Sequence, residues 1–170
     1  IPLTGWGIPK VKKQINDGIN TGKIKDGINT GKNNVSFYVD NKTDGGGWVL
    51  LFCYKHKART NPALVGNKLP LDPKNGFSHA HVKDIVQRTG VKLTLDSIQD
   101  VRFYGKTSGH RRIIHFRTSK RQVKDMAFSG ETYYRDARIW NTGFTKLPGH
   151  NAYIPGKASQ CVSGGGPALA

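Results

Sequence analysis

Three consecutive glycines, Gly45, Gly46 and Gly47, stand between a charged turn and a tryptophan that opens an apolar run in the segment YVDNKTDGGGWVLLFCYKH, residues 38–56. Three residues are too few for a flexible linker. Glycine adopts positive φ and lets other backbone approach at far lower cost than residues with a Cβ atom. The triplet therefore predicts a tight turn, and the Asp44-Gly45 pair within it is an ordinary hairpin signal.

The overall composition bounds the fold to which this turn belongs. A chain of 170 residues suits one domain with a real hydrophobic core. Only 36% of the residues are hydrophobic and 21 are glycine, which favours strands and loops over a helical bundle. We therefore predict an α+β fold of mostly antiparallel β-sheet, with one or two short helices and long loops.

Local patterns predict the order of the elements. Helical spacing of apolar residues predicts one helix within 76–89, with Ser78 as its N-cap and Gly90 just past its end. A long loop is predicted over 55–75 and a basic turn over 119–125. Alternation or short apolar runs predict strands at 35–39, 48–54, 91–95, 101–104 and 111–118.

The first 34 residues contain an internal repeat, because the segment DGINTGK at 17–23 recurs unchanged at 26–32. Each copy has the turn chemistry of Asp-Gly and Asn-Thr-Gly, and we interpret the segment as successive turns or short strands lying on the domain. One carboxylate per copy supplies too few ligands for a dedicated calcium cage. The predicted organisation is a basic N-terminal segment at 1–34, one domain at 35–163 and a flexible tail at 164–170.

The charge of the chain points to anionic partners. Lys and Arg number 27 against 11 acidic residues, a formal net charge of +16, which favours acidic glycans, nucleic acid, anionic lipid or anionic mineral. The densest cluster is expected to lie exposed along one strand and the turn after it, where it would follow a repeating anionic polymer; a merely solvated face is the alternative. Its members are Arg111, Arg112, Arg117, Lys120, Arg121 and Lys124.

Aromatic residues beside arginine offer a second kind of contact. Tyr133, Tyr134 and Trp140 lie among Arg135 and Arg138. Such side chains stack on sugar rings or bases, although the same pattern also serves a small core.

Catalytic and metal motifs are missing from the sequence. It has no nucleophile elbow, P-loop or zinc-protease motif, and its acidic residues are too scattered to pair as acid and base. His79 and His81 lack a third ligand at suitable spacing, so we interpret them as surface histidines. No stretch approaches the ~20 apolar residues of a membrane span. We expect a protein that is not an enzyme and needs no cofactor or metal.

Two cysteines and two sequons bear on the compartment. Cys53 and Cys161 are either two buried thiols or one disulfide, which would close a loop of about 100 residues and contribute roughly 4 to 5 kcal/mol. Asn34 in Asn-Val-Ser and Asn41 in Asn-Lys-Thr would be glycosylated in a secreted chain.

The opening stretch resembles a known family. Phe37-Tyr-Val-Asp40 followed by Thr43-Asp-Gly-Gly-Gly-Trp48-Val49 is similar to the start of the fibrinogen-like domain, where a strand ending in Tyr-Cys-Asp leads through an acidic turn and Gly-Gly-Trp into a central buried strand. The segment at 55–70 and the following helix also look like invertebrate members of the fibrinogen-like and intelectin-like group. Val39 stands where the family usually has cysteine, and 125–170 has no Asp-rich calcium loop.

The resemblance implies a secreted domain of shortened, calcium-independent and unusually basic type, with Cys53 and Cys161 paired as a disulfide. It implies extracellular recognition of carbohydrate, and the charge favours acidic polysaccharide. The alternative is a cationic protein of the extracellular matrix or of a biomineral that organises sulfated glycan or silica. Nucleic acid is supported by charge alone, and a homo-oligomer is left open.

Overall fold

The computed structural model of the chain describes residues 25–55, 59, 64–65, 69, 71, 76–106, 109, 111–130 and 144–151. Within them, nine short strands form three three-stranded sheets, and two α-helices accompany the sheets. Five of the six strand pairings are antiparallel and one is parallel. The predicted α+β class, mostly antiparallel β-sheet with one or two short helices, is confirmed.

The strands and helices follow one another closely along the chain. The strands are β1 (Gly27–Thr30), β2 (Ser36–Asp40), β3 (Trp48–Val49), β4 (Phe52–Lys55), β5 (Leu64–Val65), β6 (Gly76–His79), β7 (Val101–Lys106), β8 (Ile113–Thr118) and β9 (Phe144–Lys146). The helices are α1 (Val82–Thr89) and α2 (Arg121–Ser129). In space the first sheet has the order β1-β2-β3, the second β4-β6-β5 and the third β7-β8-β9.

The glycine triplet forms the connection between β2 and β3. Gly45, Gly46 and Gly47 have φ of 79°, 73° and 78°, and Asp44 before them also has positive φ. A Cβ atom on Gly46 would lie 2.4 Å from the carbonyl oxygen of Asn41. The predicted turn is confirmed, and it needs glycine for both backbone conformation and close approach.

The apolar run at 48–54 is two strands rather than the single strand predicted. β3 pairs with β2 in the first sheet and β4 pairs with β6 in the second. Leu50 and Leu51 lie between them, both buried, and each bonds a different sheet: Leu50 N donates to Tyr38 O, and Leu51 O accepts from Ala80 N. A continuous apolar run reports burial on both sides, which a crossing between sheets also satisfies.

Helix α1 forms where predicted but begins later. Its buried residues are Val82, Ile85 and Thr89, and it ends at Gly90 in the left-handed conformation. The N-cap is His81, whose N–H donates to the Asp84 carboxylate over 2.9 Å, rather than Ser78. Residues 76–79 instead pair with β4, and a strand ladder there prevents the earlier helical start.

Two further predictions of local structure are wrong. Residues 91–95 alternate between buried and exposed side chains but join no strand ladder in the described part of the chain, because their alternation reflects one-sided burial and a 3-10 turn begins at Leu95. The expected basic turn at 119–125 is largely helical, since α2 begins at Arg121.

The core has two parts. The larger lies under the first two sheets and α1, with Phe37, Trp48 and Ile85 at 0–2% exposure. The smaller joins the third sheet to α2 through Val101 and Val123. None of the helices described in the structure is both long and apolar enough to cross a membrane.

Candidate functional site

The structure divides the predicted basic cluster into two groups. Arg111 and Arg112 lie just before β8, and Arg117 lies near its far end. Five steps of extended chain from Arg112 to Arg117 span about 17 Å. Lys120, Arg121 and Lys124 come still later, at and within the start of α2. The six residues therefore do not make one continuous row.

The first group sits at the tip of the β7–β8 hairpin. Lys106 ends β7 and is the register partner of Ile113, the first residue of β8. Arg112 precedes Ile113 and therefore lies on the loop side of this last pair. Lys106, Arg111 and Arg112 all have exposed side chains. We call these three residues the hairpin patch. In the described part of the chain, none of the three lies within ion-pair distance of a carboxylate.

The backbone beneath the hairpin patch is held by Asn151. Its amide nitrogen donates to Arg111 O over 2.6 Å, and its amide oxygen accepts from Ile113 N over 2.6 Å. The backbone N–H of Asn151 also donates to Ile113 O over 3.0 Å. Three hydrogen bonds thus fix the backbone on both sides of Arg112, so ligand binding at 111–113 would require ordering of side chains rather than of that backbone.

Arg117 differs from the expectation of an exposed polymer contact. Its side chain is only 32% exposed, and Nη1 lies 2.8 Å from Asp100 Oδ2 while Nε lies 3.2 Å from Asp44 Oδ2. The side chain faces inward because two aspartates from separate loops converge on it. Arg117 therefore bridges these loops and contributes little charge to the surface.

The cations at the start of α2 are also partly engaged. Arg121 Nε donates to Asp125 Oδ1 over 3.0 Å, and Nη1 lies 3.6 Å from Asp96 Oδ1. Burial lowers the pKa of Lys120, and Lys124 is half-buried. Positive charge at a helix N-terminus interacts unfavourably with the helix dipole. The ion pair between Arg121 and Asp125 offsets part of that cost.

A buried ion pair joins the first and third sheets. Arg102 on β7 is 3% exposed, and its Nη2 donates to Asp40 Oδ2 at the end of β2 over 2.7 Å. Its guanidinium carbon lies 4.9 Å from the ring centroid of Trp48, a cation–π distance. Trp48 in turn donates from Nε1 to Thr43 O over 2.7 Å, so the glycine-rich turn is tied to the same cluster.

The carboxylate of Asp40 is stabilised in its charged form. Burial alone would raise its pKa, but hydrogen bonds from the Thr43 side chain and N–H, the Lys42 N–H and the charge of Arg102 together lower the pKa to about 2. Burial lowers the pKa of Arg102 while Asp40 and Asp44 oppose that effect. Arginine stays charged throughout, so this is a salt bridge at neutral pH.

Histidines extend this cluster toward β9. His115 Nδ1 lies 2.8 Å from Pro148 O, which can only accept, so Nδ1 is the donor and Nε2 faces Arg102 Nη1 at 3.4 Å. The backbone N–H of His115 donates to His150 Nδ1 over 2.8 Å. These contacts fix β9 and the following turn onto β8, which also places Asn151.

Every aspartate in the described residues lies within 3.6 Å of a Lys, Arg or His nitrogen. Six of these seven aspartates pair with Lys or Arg and are thereby neutralised locally, largely at the joins between elements. The excess positive charge is left for the surface. The aspartates concerned are Asp26, Asp40, Asp44, Asp84, Asp96, Asp100 and Asp125.

The two neighbouring histidines contact each other. The rings of His79 and His81 lie edge to face with centroids 5.2 Å apart. Burial, and then the charge of His81, lower the pKa of His79. No group of three or more His, Cys, Asp or Glu side chains is placed to hold a metal ion among the residues the structure describes.

The remaining predicted site residues are the stacking aromatics, the two cysteines and the two sequon asparagines. Tyr133, Tyr134, Trp140 and Cys161 lie outside the described residues, so sugar stacking and the disulfide stay predictions. Cys53 is 1% exposed on β4. Both sequon asparagines, Asn34 and Asn41, are exposed.

Comparison with protein-family models, with curated proteins and with solved structures found no match for this chain.

Sequence reasoning missed three residues that organise the site. Lys106 belongs to the hairpin patch but follows a predicted strand end without any basic neighbour. Asn151 and Arg102 act on partners 40 and 62 residues away in the chain. No local sequence pattern indicates such contacts.

Proposed function

We propose that this chain is a secreted, non-enzymatic recognition module that binds acidic polysaccharide through the hairpin patch. The observation that carries the proposal is the contrast between two sets of arginines. Arg102 and Arg117 are turned inward onto aspartates, whereas Arg111 and Arg112 project from a braced hairpin tip into solvent.

The chemistry of the hairpin patch suits sulfate and carboxylate groups. Guanidinium presents a planar fork of donors that matches such groups in a bidentate manner. Arg111, Arg112 and Lys106, whose register partner is Ile113, place three exposed cationic side chains at one end of the hairpin. Polyanion affinity then arises from several weak, salt-sensitive contacts on backbone that is already ordered.

The family proposal rests on the turn rather than on the binding surface. We propose a divergent fibrinogen-like domain, because the segment 37–49 forms strand, glycine turn and buried tryptophan in the order that the resemblance implies. Carbohydrate recognition and secretion come with that proposal. The proposed site is a basic hairpin and does not reuse the calcium-dependent pocket of the family.

A second candidate is a cationic scaffold of matrix or mineral. The observation that favours it is the edge strand β1, which carries Ile28 at 61% exposure and lies in a sequence that the chain contains twice. An exposed apolar side chain on an edge strand suits assembly.

A glycan array at low and at physiological salt separates the two proposals. The parent chain should retain selectivity for sulfated or uronic-acid glycans at physiological salt, and the Arg111→Gln/Arg112→Gln variant should lose it. Uniform loss of all binding with salt would favour the scaffold. Selective binding that survives in the variant would reject the hairpin patch as the site.

A further inference from the structure

The edge strand β1 is fixed by residues of the second repeat copy, at 26–32. The carboxylate of Asp26 accepts from Asn41 N over 2.9 Å and lies 3.3 Å from Lys42 Nζ. The strand then pairs with β2, with Ile28 opposite Tyr38. This end of the copy is thus held by one carboxylate and a backbone ladder.

The other end of the copy packs on the C-terminus of α1. A Cβ atom on Gly31 would lie 2.4 Å from Thr89 O, so only glycine fits there. The Lys32 side chain runs along Gly90, where a Cβ atom would be 2.7 Å from Lys32 Cδ. The β1 position therefore uses an aspartate and a glycine at fixed spacing.

The outer edge of β1 is less available to an added strand. The Asn29 side chain donates to Lys25 O and Gly27 O and accepts from Lys25 N. An added strand would have to displace these bonds, since a strand uses the same backbone groups. A second DGINTGK segment thus fits the position of β1 itself better than a place beside it.

The first copy, 17–23, supplies every side chain that the position uses, because its sequence is identical. The Asn29 side chain contacts only backbone atoms of Lys25. Asn16, nine residues earlier, would offer the same backbone atoms to Asn20. We infer that the β1 position is a binding slot for the DGINTGK motif, and that the first copy of the same chain exchanges into it with a nine-residue shift in register.

The second copy is the major occupant. Exchange lengthens the connection to β2 from the five residues 31–35 to the fourteen residues 22–35, which disfavours the shifted register by roughly five-fold through loop closure. It also gives up the tight turn in which Asn33 and Asn34 hold positive φ. The shifted state is therefore a minor population that the second copy suppresses.

Cysteine cross-linking in the full chain tests the exchange. Ile28→Cys with Tyr38→Cys reports the observed register, and Ile19→Cys with Tyr38→Cys reports the shifted one. Ile24→Cys with Tyr38→Cys matches neither register and measures random encounter. Peptide mapping by mass spectrometry separates these links from any that involve Cys53 or Cys161. We expect the residue 19 link within monomers, several-fold above the residue 24 control.

Glycine variants supply the second measurement. Gly22→Val should abolish the residue 19 link, because a side chain there would meet Thr89 as one at Gly31 would, and it should leave the residue 28 link intact. Gly31→Val should raise the yield of the residue 19 link. The inference would be overturned if the residue 19 link formed no more than the residue 24 control. It would also be overturned if Gly22→Val left that link unchanged, or if the link formed only in dimers.

Discussion

The guanidinium of Arg102 donates to the carboxylate of Asp40 across 2.7 Å, and this contact joins a strand of the third sheet to a strand of the first. Both residues are largely shielded, with side-chain exposures of 4% and 20%. The same guanidinium lies against Trp48, the residue that follows the glycine turn. The arrangement of the turn therefore depends on a cation supplied from β7.

Removing that cation should be costly. Breaking a buried pair by deleting one partner leaves an uncompensated charge, and we predict that Arg102→Met lowers the free energy of unfolding by about 3 to 5 kcal/mol. The exposed control Arg112→Met should change it by less than about 0.5 kcal/mol. Urea unfolding followed by tryptophan fluorescence measures both. Adding Asp40→Asn to Arg102→Met should recover part of the lost unfolding free energy. Equal losses for Arg102→Met and Arg112→Met would show that the buried ion pair is not needed for stability.

The depressed pKa of Asp40 predicts a pH dependence. Its folded pKa of about 2 lies below the ordinary value of 3.8, so its contribution to stability is present above about pH 5 and is lost as pH falls toward 2. The shift corresponds to about 2 kcal/mol. The difference in unfolding free energy between the parent and Asp40→Asn should shrink by that amount from pH 5 to pH 2. A difference independent of pH would show that the carboxylate is not stabilised by folding.

Gly46 offers a test of the turn. Valine there would carry a β-branched side chain at φ of 73° and meet Asn41 O, and we predict a loss of at least about 1 to 3 kcal/mol in unfolding free energy. Gly109→Val is the matched control, because no atom lies within 4 Å of a Cβ at that position. Denaturant midpoints that match for the two variants would mean that the turn has no need of glycine.

The sequence predicted some parts of this fold well and others poorly, for identifiable reasons. The turn at Gly45 to Gly47 and the helix end at Gly90 were predictable because glycine conformation is a local property. The break at Leu50 and Leu51 was not, since burial on both sides looks the same in one strand or two. The inward turn of Arg117 depends on Asp44 and Asp100, which come together only in the folded chain.

The two sequons should differ in use. Asn34 lies exposed in the turn before β2, whereas the Asn41 side-chain oxygen accepts from Gly47 N and the side chain of its sequon Thr43 bonds Asp40. For a chain made through a secretory pathway, we predict higher glycan occupancy at Asn34 than at Asn41. Glycopeptide mass spectrometry measures both sites, with Asn34→Gln as the control for assignment. Higher occupancy at Asn41 would contradict the ranking.

The central claim is that the hairpin patch, and not net charge alone, binds acidic polysaccharide. Arg111→Gln/Arg112→Gln and Lys83→Gln/Lys92→Gln remove the same charge from exposed positions, and neither should alter stability measurably. Binding through several ion pairs weakens as salt rises, and removing any one of those ion pairs makes the dependence on salt less steep.

The most direct measurement is the salt concentration at which each chain elutes from immobilised heparin. We predict that the arginine variant elutes at clearly lower salt than the parent, while the lysine variant elutes close to the parent. Elution of both variants at the same salt concentration would contradict this prediction, because binding would then report only the total charge of the chain.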